Sequence, residues 1–219
     1  MEKYPRYFQL TVNDCQVSVT HRIEVVIFKE PVLPKSATTV IQRPRKASNR
    51  EKTKEPIARV NDLVQSTLVI IKPDSVRRGL VGKILSRFER VGLQITSLVN
   101  MAMQPKDLHH HYQTIGKVGD RHGDRVLQSL IDFMQESPVF VVILTGIEAV
   151  EVVRKLIGST EPKTASPGTI RGDYAHASYA WSKSEGRSIS NLVHSSATVE
   201  EAKLEIAHWN SVIYGASGK

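Results

Sequence analysis

The feature that most constrains the fold is an unbroken apolar run, Pro-Val-Phe-Val-Val-Ile-Leu, at residues 138–144. A short run that is rich in β-branched residues is typical of a strand covered on both faces. A second run of this kind, Leu-Val-Ile-Ile, occupies residues 68–71 and leads directly into a Lys-Pro-Asp turn. The chain is therefore predicted to build its core around a buried β-sheet.

Helices and strands are predicted to alternate around these two strands, with a helical insert before the central one. Apolar residues recur at helical spacing over 80–91 until Gly92 stops the helix. The segment Thr198-Val-Glu-Glu201 is a capping box that opens a helix through Trp209. This order predicts an α+β fold of the ferredoxin-like split βαβ type, with an antiparallel sheet. The other predicted elements are a strand over 93–103, helical pieces over 106–112 and 123–135, a helix over 147–157 and a strand that begins near Tyr174.

The first 60 residues form an N-terminal extension that differs in composition from the rest. Residues 1–33 include a candidate strand at 23–28, whereas residues 34–60 are rich in Ser, Thr, Pro, Lys and Arg. Such a segment has little apolar surface to bury and is typical of a flexible basic linker. We expect a domain over 61–219. The segment before the linker is open to three interpretations: a docking element, a disordered arm, or an extension that does not fold.

Composition narrows the class of protein. The chain has 219 residues, 40% of them hydrophobic, which is enough to bury a sizeable core. No apolar run approaches the roughly 20 residues of a membrane span, and Cys15 has no second cysteine for an internal disulfide. We therefore expect a cytoplasmic protein without a membrane contact. The net charge of +8 is typical of a protein that binds a nucleic acid or a polyanionic nucleotide. Of these two partners, we favour the nucleotide.

Three motifs bring a histidine together with cationic residues. They are Ile71-Lys-Pro-Asp-Ser-Val-Arg-Arg-Gly79, Pro167-Gly-Thr-Ile-Arg-Gly-Asp173 and Asn191-Leu-Val-His-Ser-Ser196. A neutral imidazole has a free lone pair near pH 7, so it is a ready nucleophile for a phosphoryl group. The lysine and the arginines supply the positive charge that a transferred phosphate needs. A histidine alone is more often a structural residue, but these neighbours favour the catalytic interpretation.

Together the motifs resemble the nucleoside diphosphate kinase family over about residues 66–214. The resemblance implies transfer of the γ-phosphate of a nucleoside triphosphate to a nucleoside diphosphate through a phosphohistidine, with His194 as nucleophile and Glu205 orienting its ring. It also implies ATP and nucleoside diphosphates as substrates, a homo-oligomer, and Mg²⁺ that bridges the nucleotide phosphates without ligands from protein side chains. The other matching residues are Lys72 and Tyr112 in catalysis, Arg154, Thr160, Arg171 and Asn191 in nucleotide binding, and Asp74, Arg78 and Ser196 in support.

Several features depart from the family pattern. Val126 and Leu130 stand at the base-contacting positions, where the family places an aromatic ring, so the base is expected to meet aliphatic side chains. Two insertions, one between Tyr112 and Val126 and one between Asp173 and Asn191, are expected to border the pocket. The three histidines at 109–111 are interpreted as a solvated helix face, because successive helical residues point about 100° apart and cannot converge on one metal ion.

A rival interpretation stays open at this point. The chain would be a nucleotide-binding module that kept the fold and the pocket but lost turnover, with its basic N-terminal arm docked to nucleic acid or to a protein. The presence of every polar catalytic residue of the motifs favours the enzyme.

Overall fold

Residues 63–215 are described in this computed structural model, and they contain one four-stranded antiparallel sheet. The strands are β1 Val64–Ile71, β2 Gln94–Met101, β3 Val139–Ile147 and β4 Val193–Ser195. Their order is β2-β3-β1-β4, so the first and third strands of the chain are neighbours at the centre. This order is that of a ferredoxin-like split βαβ fold, and the expected fold class is confirmed.

Helices fill the connections between the strands. In chain order they are α1 Pro73–Arg77, α2 Val81–Glu89, α3 Pro105–His109, α4 Val118–His122, α5 Asp124–Gln135, α6 Ala149–Ile157, α7 Ile170–Tyr174, α8 Tyr179–Ser184 and α9 Val199–Gly215. A π-helical turn, His110–Ile115, continues α3, and a 3₁₀ turn, Pro162–Thr164, precedes α7. The predicted helical insert therefore consists of α3, the π-helical turn, α4 and α5.

The central strands are buried on both faces, which is why their sequences are unbroken apolar runs. Because side chains alternate along a strand, Leu68 and Ile70 of β1 join one core while Val69 and Ile71 join the other. Burial of each such side chain stabilises the fold by about 1.5–3 kcal/mol. The Val69 core includes Ile84 and Phe88 of α2 and Val153 and Ile157 of α6, and the Leu68 core includes Ile131 and Met134 of α5 and Trp209 of α9.

The strand predicted to begin near Tyr174 is wrong. That residue ends helix α7, a second short helix α8 follows, and the fourth strand is β4. Two hydroxyl caps explain the difference. Thr169 Oγ1 accepts the N–H of Gly172 at 3.0 Å, and Ser178 Oγ accepts the N–H of Trp181 at 3.2 Å. Such caps satisfy backbone donors at a helix start and favour a helix over a strand.

The cap that the sequence predicts at Thr198 is present, but the reciprocal bond from Glu201 reaches the residue before it. Thr198 Oγ1 accepts the N–H of Glu201 at 3.1 Å, and the Glu201 carboxylate accepts the N–H of Ala197 at 2.9 Å. The helix itself, α9, continues beyond Trp209 to Gly215. It packs against β1 and so carries Glu205 and Trp209 into the interior.

The predictions for residues 1–33 and 34–60 lie outside the described residues. Within 63–215, no helix combines the length and the apolar character needed to cross a bilayer.

A glycine in α7 provides a test of this packing. A side chain at Gly172 would overlap the backbone carbonyl of Ser166, which has no room to move as a flexible side chain would. We expect Gly172→Ala to lower the free energy of unfolding by about 1–3 kcal/mol, measured by chemical denaturation. Gly82→Ala is the matched control, since a methyl group there meets nothing within 4 Å. Equal stability of the two variants would contradict the packing described here.

Candidate active site

The pairing of β1 with β4 brings two of the three sequence motifs together. Ile70 lies opposite His194 and Ile71 opposite Val193 in an antiparallel register. The N–H of Lys72 extends this pairing by donating to the carbonyl of Leu192 at 2.9 Å. The carboxyl end of β1 and the amino end of β4 therefore meet, with a lysine on one and a histidine on the other.

The turn before β4 is held in an uncommon conformation. Leu192 has a φ of 73°, in the left-handed region that branched side chains rarely adopt. Asp74 Oδ2 accepts the N–H of Leu192 at 3.0 Å, and Ser75 Oγ donates to its carbonyl at 2.8 Å. These bonds from α1 stabilise the strained turn, as is common where backbone geometry serves a site. Asp74 thereby supports the segment that carries Asn191.

A buried hydrogen bond joins the side chains of Lys72 and Asn191. Lys72 Nζ donates to Asn191 Oδ1 at 2.8 Å, and Asn191 Nδ2 donates to the carbonyl of Thr160 at 2.9 Å. Lys72 is 5% exposed. Burial, and to a smaller extent the charge of Arg171, lower the pKa of Lys72 to about 8, although Asp74 acts in the opposite direction. Lys72 is thus a poorly solvated cation, which a phosphate group would stabilise.

Arg171 ties the loops of the site to one another. Its guanidinium donates to the carbonyls of Asn191 at 3.0 Å, Gly158 at 3.0 Å and Val193 at 2.7 Å. A guanidinium has five N–H groups, so this fixed fork also has donors to direct at an anion. Burial lowers the pKa of Arg171 to about 10, and it keeps its charge at neutral pH. The sequence predicted that Arg171 is a cation of the site. Its three carbonyl partners come from distant parts of the chain, so only the folded structure identifies them.

His194 is oriented by a buried carboxylate. Its Nε2 lies 2.8 Å from Glu205 Oε1, and Ser196 Oγ donates to Glu205 Oε2 at 2.6 Å. Burial by itself would raise the pKa of Glu205, but the charge and hydrogen bond of His194, together with the bond from Ser196, bring it down to about 2. An ionised acceptor at Nε2 places the ring proton there and leaves the lone pair on Nδ1. The imidazole is therefore set up as a nucleophile through Nδ1.

The interpretation of residues 109–111 as a solvated face is wrong for His111. His109 and His110 are exposed, but His111 is 1% exposed, and its ring lies 4.6 Å from that of His194. Leu108 precedes His111 by three residues on the buried side of α3, so helical spacing turns this histidine inward. This three-residue spacing from an apolar residue is the sequence feature that would have predicted the burial of His111. Tyr112 follows it into the interior, with its ring 5.8 Å from His194.

The remaining predicted residues surround this centre with different degrees of exposure. Arg154 on α6 and Thr160 in the loop after it are exposed, and the charge of Arg154 contributes to the lowered pKa of Arg171. Arg78 is exposed at the end of α1. On α5, Val126 is 47% exposed, whereas Leu130 is partly buried against the Leu68 core.

The two insertions fold as short helices. The first contains α4, and Gln113 closes it by donating to Asp120 at 2.7 Å. The second contains α8, where the N–H of Tyr179 donates to Glu161 at 2.9 Å. At its other end, Arg187 contacts Glu136 at 3.4 Å. The second insertion thus extends from the Thr160 loop to the end of α5.

Known proteins resemble this chain in sequence. The family model described as nucleoside diphosphate kinase matches residues 65–212, which is more than half of the chain. The chain belongs to the nucleoside diphosphate kinase family. A nucleoside diphosphate kinase from Borreliella burgdorferi is 47% identical over 147 residues, which cover 67% of this chain and 87% of that protein. One from Pyrobaculum aerophilum is 40% identical and is covered to 94% of its length.

Solved structures of nucleoside diphosphate kinases agree with the fold. A transition-state mimic of the enzyme from Borrelia burgdorferi, with bound vanadate and ADP, has a TM-score of 0.65 and covers 68% of this chain and 88% of that one. The enzyme from Pyrobaculum aerophilum has a TM-score of 0.61 at 37% identity and covers 67% of this chain and 95% of that one. This nucleoside diphosphate kinase is accordingly a phosphotransferase that acts on nucleotides.

The lowered pKa of Lys72 predicts a pH limit for the free kinase. Below about pH 8 the lysine is charged, and above that pH it becomes neutral and binds phosphate poorly. We expect kcat/KM for ATP to fall by about tenfold per pH unit above this value, since kcat/KM reports ionisations of the free enzyme. In Lys72→Arg the guanidinium stays charged, so the fall should move to higher pH even if the overall rate is lower. If kcat/KM falls at the same pH in both proteins, the group that titrates is not Lys72.

Proposed function

We propose that His194 carries the phosphoryl group between nucleotides in this nucleoside diphosphate kinase. The observation that supports this role is the 2.8 Å bond between His194 Nε2 and Glu205, which directs the Nδ1 lone pair away from the carboxylate. The His194 side chain is 18% exposed, so a nucleotide from solvent can approach it, whereas Glu205 is buried behind it. A nucleophile at the surface of the site with its orienting base beneath suits a two-step transfer.

In the first step, the Nδ1 lone pair forms a bond to the γ-phosphorus of ATP. The bond from that phosphorus to the bridging oxygen breaks, and the electron pair leaves with ADP. Positive charge develops on the imidazole as this happens, and the ionised Glu205 stabilises it through the Nε2–H bond. Lys72 and Arg171 lie beside the approach and compensate the charge on the phosphoryl oxygens.

In the second step, a terminal phosphate oxygen of the acceptor diphosphate attacks the same phosphorus. The P–N bond breaks, its electron pair returns to Nδ1, and the new triphosphate leaves. No net proton is gained or lost by His194 over the two steps. The same cations serve both directions, because donor and acceptor present identical phosphate chemistry.

We propose that Mg²⁺ enters with the nucleotide. Among the described residues, the group with metal-ligand spacing consists of His111, His194 and Glu205. Two imidazoles and one carboxylate suit Mg²⁺ poorly, since this ion prefers oxygen ligands and retains water. Held by the phosphates, Mg²⁺ would neutralise part of their charge. The protein residues would then position the phosphate chain and compensate the rest of its charge.

We also propose a homo-oligomer in the cytoplasm, where ATP is available. The edge strand β2 supports self-association, because Leu98 on it is 45% exposed. Multi-angle light scattering of the intact chain tests the assembly, and a monomer at enzyme-assay concentration would contradict it.

Replacement of the nucleophile is the direct test. His194→Ala should lose self-labelling by γ-labelled ATP and reduce ATP-to-GDP transfer by at least about 10³-fold, since a covalent step cannot be replaced by a neighbour. The label on the unmodified protein should be acid-labile and base-stable, as expected for a phosphohistidine. His109→Ala is the matched control because that imidazole is exposed, and it should retain full labelling. Transfer by His194→Ala at the normal rate would refute the role, and nucleotide binding without labelling of the unmodified protein would favour the inactive binding module.

The aliphatic residues on α5 predict weak base preference. Hydrophobic contacts without hydrogen bonds separate similar substrates by about tenfold or less, so kcat/KM for ADP, GDP, CDP and UDP should agree within that factor. Val126→Phe adds a stacking ring at an exposed position and should lower KM for all four bases in similar proportion. Val91→Phe, at a position 51% exposed, controls for added surface aromatics. A preference above about a hundredfold for one base would instead indicate that an insertion reads its edge.

A further inference from the structure

His111 is a buried titratable residue to which the mechanism above assigns no role. Its side chain is completely inaccessible to solvent, and it lies between Trp209 and Glu205. Trp209 Nε1–H donates to His111 Nδ1 at 3.2 Å. On the other side, His111 Nε2 lies 3.6 Å from Glu205 Oε1, the oxygen that also accepts the bond from His194. Nε2 has no hydrogen-bond partner at this distance, although a buried N–H normally has one.

The contact with Trp209 fixes the tautomer of His111. An indole N–H only donates, so the nitrogen that faces it must accept with its lone pair. The single proton of neutral His111 is then on Nε2 and directed towards Glu205. Burial, and to a smaller extent the nearby His194, lower the pKa of His111 to about 3, although Glu205 acts in the opposite direction. His111 is therefore a neutral donor throughout the working range of the enzyme.

The same tautomer argues against a transition-metal site at this place. The ligand atoms of His111, His194 and Glu205 lie within 4.8 Å of one another, which is a spacing that a zinc ion can use. A metal would need the lone pair of His111 Nε2, and that nitrogen carries a proton as long as Trp209 donates to Nδ1. Metal binding would force an N–H of His111 against the N–H of Trp209. Proton donation to Glu205 has no such conflict.

We propose that His111 is a positioning residue for phosphoryl transfer, which directs its Nε2–H at Glu205 Oε1 and holds the carboxylate that orients His194. This inference rests on the proposed role of His194. The N–H dipole stabilises the ionised carboxylate in a poorly solvated site, where such interactions are strengthened. Because His111 itself is neutral, it does not oppose the positive charge that develops on His194.

The local backbone supports this role. The π-helical turn His110–Ile115 carries both His111 and Tyr112, whose rings pack against His194 at steep angles of 78° and 89°. Short π-helical segments occur frequently at functional sites. Packing of this kind restricts rotation of the His194 ring, so its Nδ1 keeps one direction. The 3.6 Å contact between His111 Nε2 and Glu205 Oε1 is too long for a hydrogen bond in the free protein, but polar contacts of catalytic groups often shorten once the substrate is bound.

Two substitutions of His111 separate proton donation from packing. Asn retains an acceptor near the Nδ1 position for Trp209 but has no group at the Nε2 position, whereas Gln places an amide N–H near it. We expect His111→Asn to slow labelling of His194 at saturating ATP by about 10- to 100-fold, with KM for ATP within about twofold. His111→Gln should remain within about threefold of the unmodified rate. His110→Asn, at the exposed neighbour, is the matched control.

The outcomes distinguish this inference from the proposed function. Full labelling in both His111 variants would overturn the positioning role while leaving His194 as nucleophile. Equal losses in both variants, with unchanged thermal unfolding, would also overturn it in favour of packing alone. Absence of label at His194 in the unmodified protein would instead refute the proposed function.

A spectroscopic measurement on the unmodified protein decides the question if His111→Asn does not fold. Imidazole ¹⁵N spectra of histidine-labelled protein should show one ring that stays neutral and protonated at Nε2 from about pH 5 to pH 9. This ring should disappear in His111→Gln and shift when His194 is phosphorylated. An Nδ1-protonated ring, a charged ring, or no change on phosphorylation would overturn the proposal.

Discussion

The short pairing between β1 and β4 is the constraint on which the active site depends. A strand of three residues has few backbone bonds of its own, so side chains complete its attachment. Ser75 and Asp74 hold the turn before it, and Ser196 after it both accepts from Leu68 and donates to Glu205. Loss of this pairing would separate the lysine of one motif from the histidine of another.

Burial of charge gives the site its chemical character. Lys72, Arg171 and Glu205 are each at most 8% exposed, and each has hydrogen-bond partners that offset the cost of desolvation. Their pKa values respond differently because their neighbours differ. Lys72 lies beside another cation, which adds to the effect of burial, whereas Glu205 faces a histidine and a hydroxyl that favour its ionised form. The structure thus combines poorly solvated cations with a stable carboxylate that contacts His194.

Much of the fold could be predicted from local patterns. The runs at 68–71 and 138–144 became the central strands because only a position between two helical layers accommodates apolar residues on both faces. The cap at Thr198 formed as its spacing indicated. The strand expected near Tyr174 failed because the hydroxyls of Thr169 and Ser178 open short helices there. Such caps contribute about 1 kcal/mol each, which decides the conformation of a segment with weak periodicity.

The sequence by itself determined the chemistry of this protein, because its motifs specify a histidine, a carboxylate and several cations in a recognisable order. Tertiary structure decided how these groups interact. The left-handed Leu192, the three carbonyl partners of Arg171 and the contact between Trp209 and His111 all join residues that are distant in the chain or depend on backbone geometry. His111 is the clearest case, since its sequence neighbours His109 and His110 are exposed. Periodicity along a helix defines its faces, but only packing against β4 and α9 determines which face lies against His194.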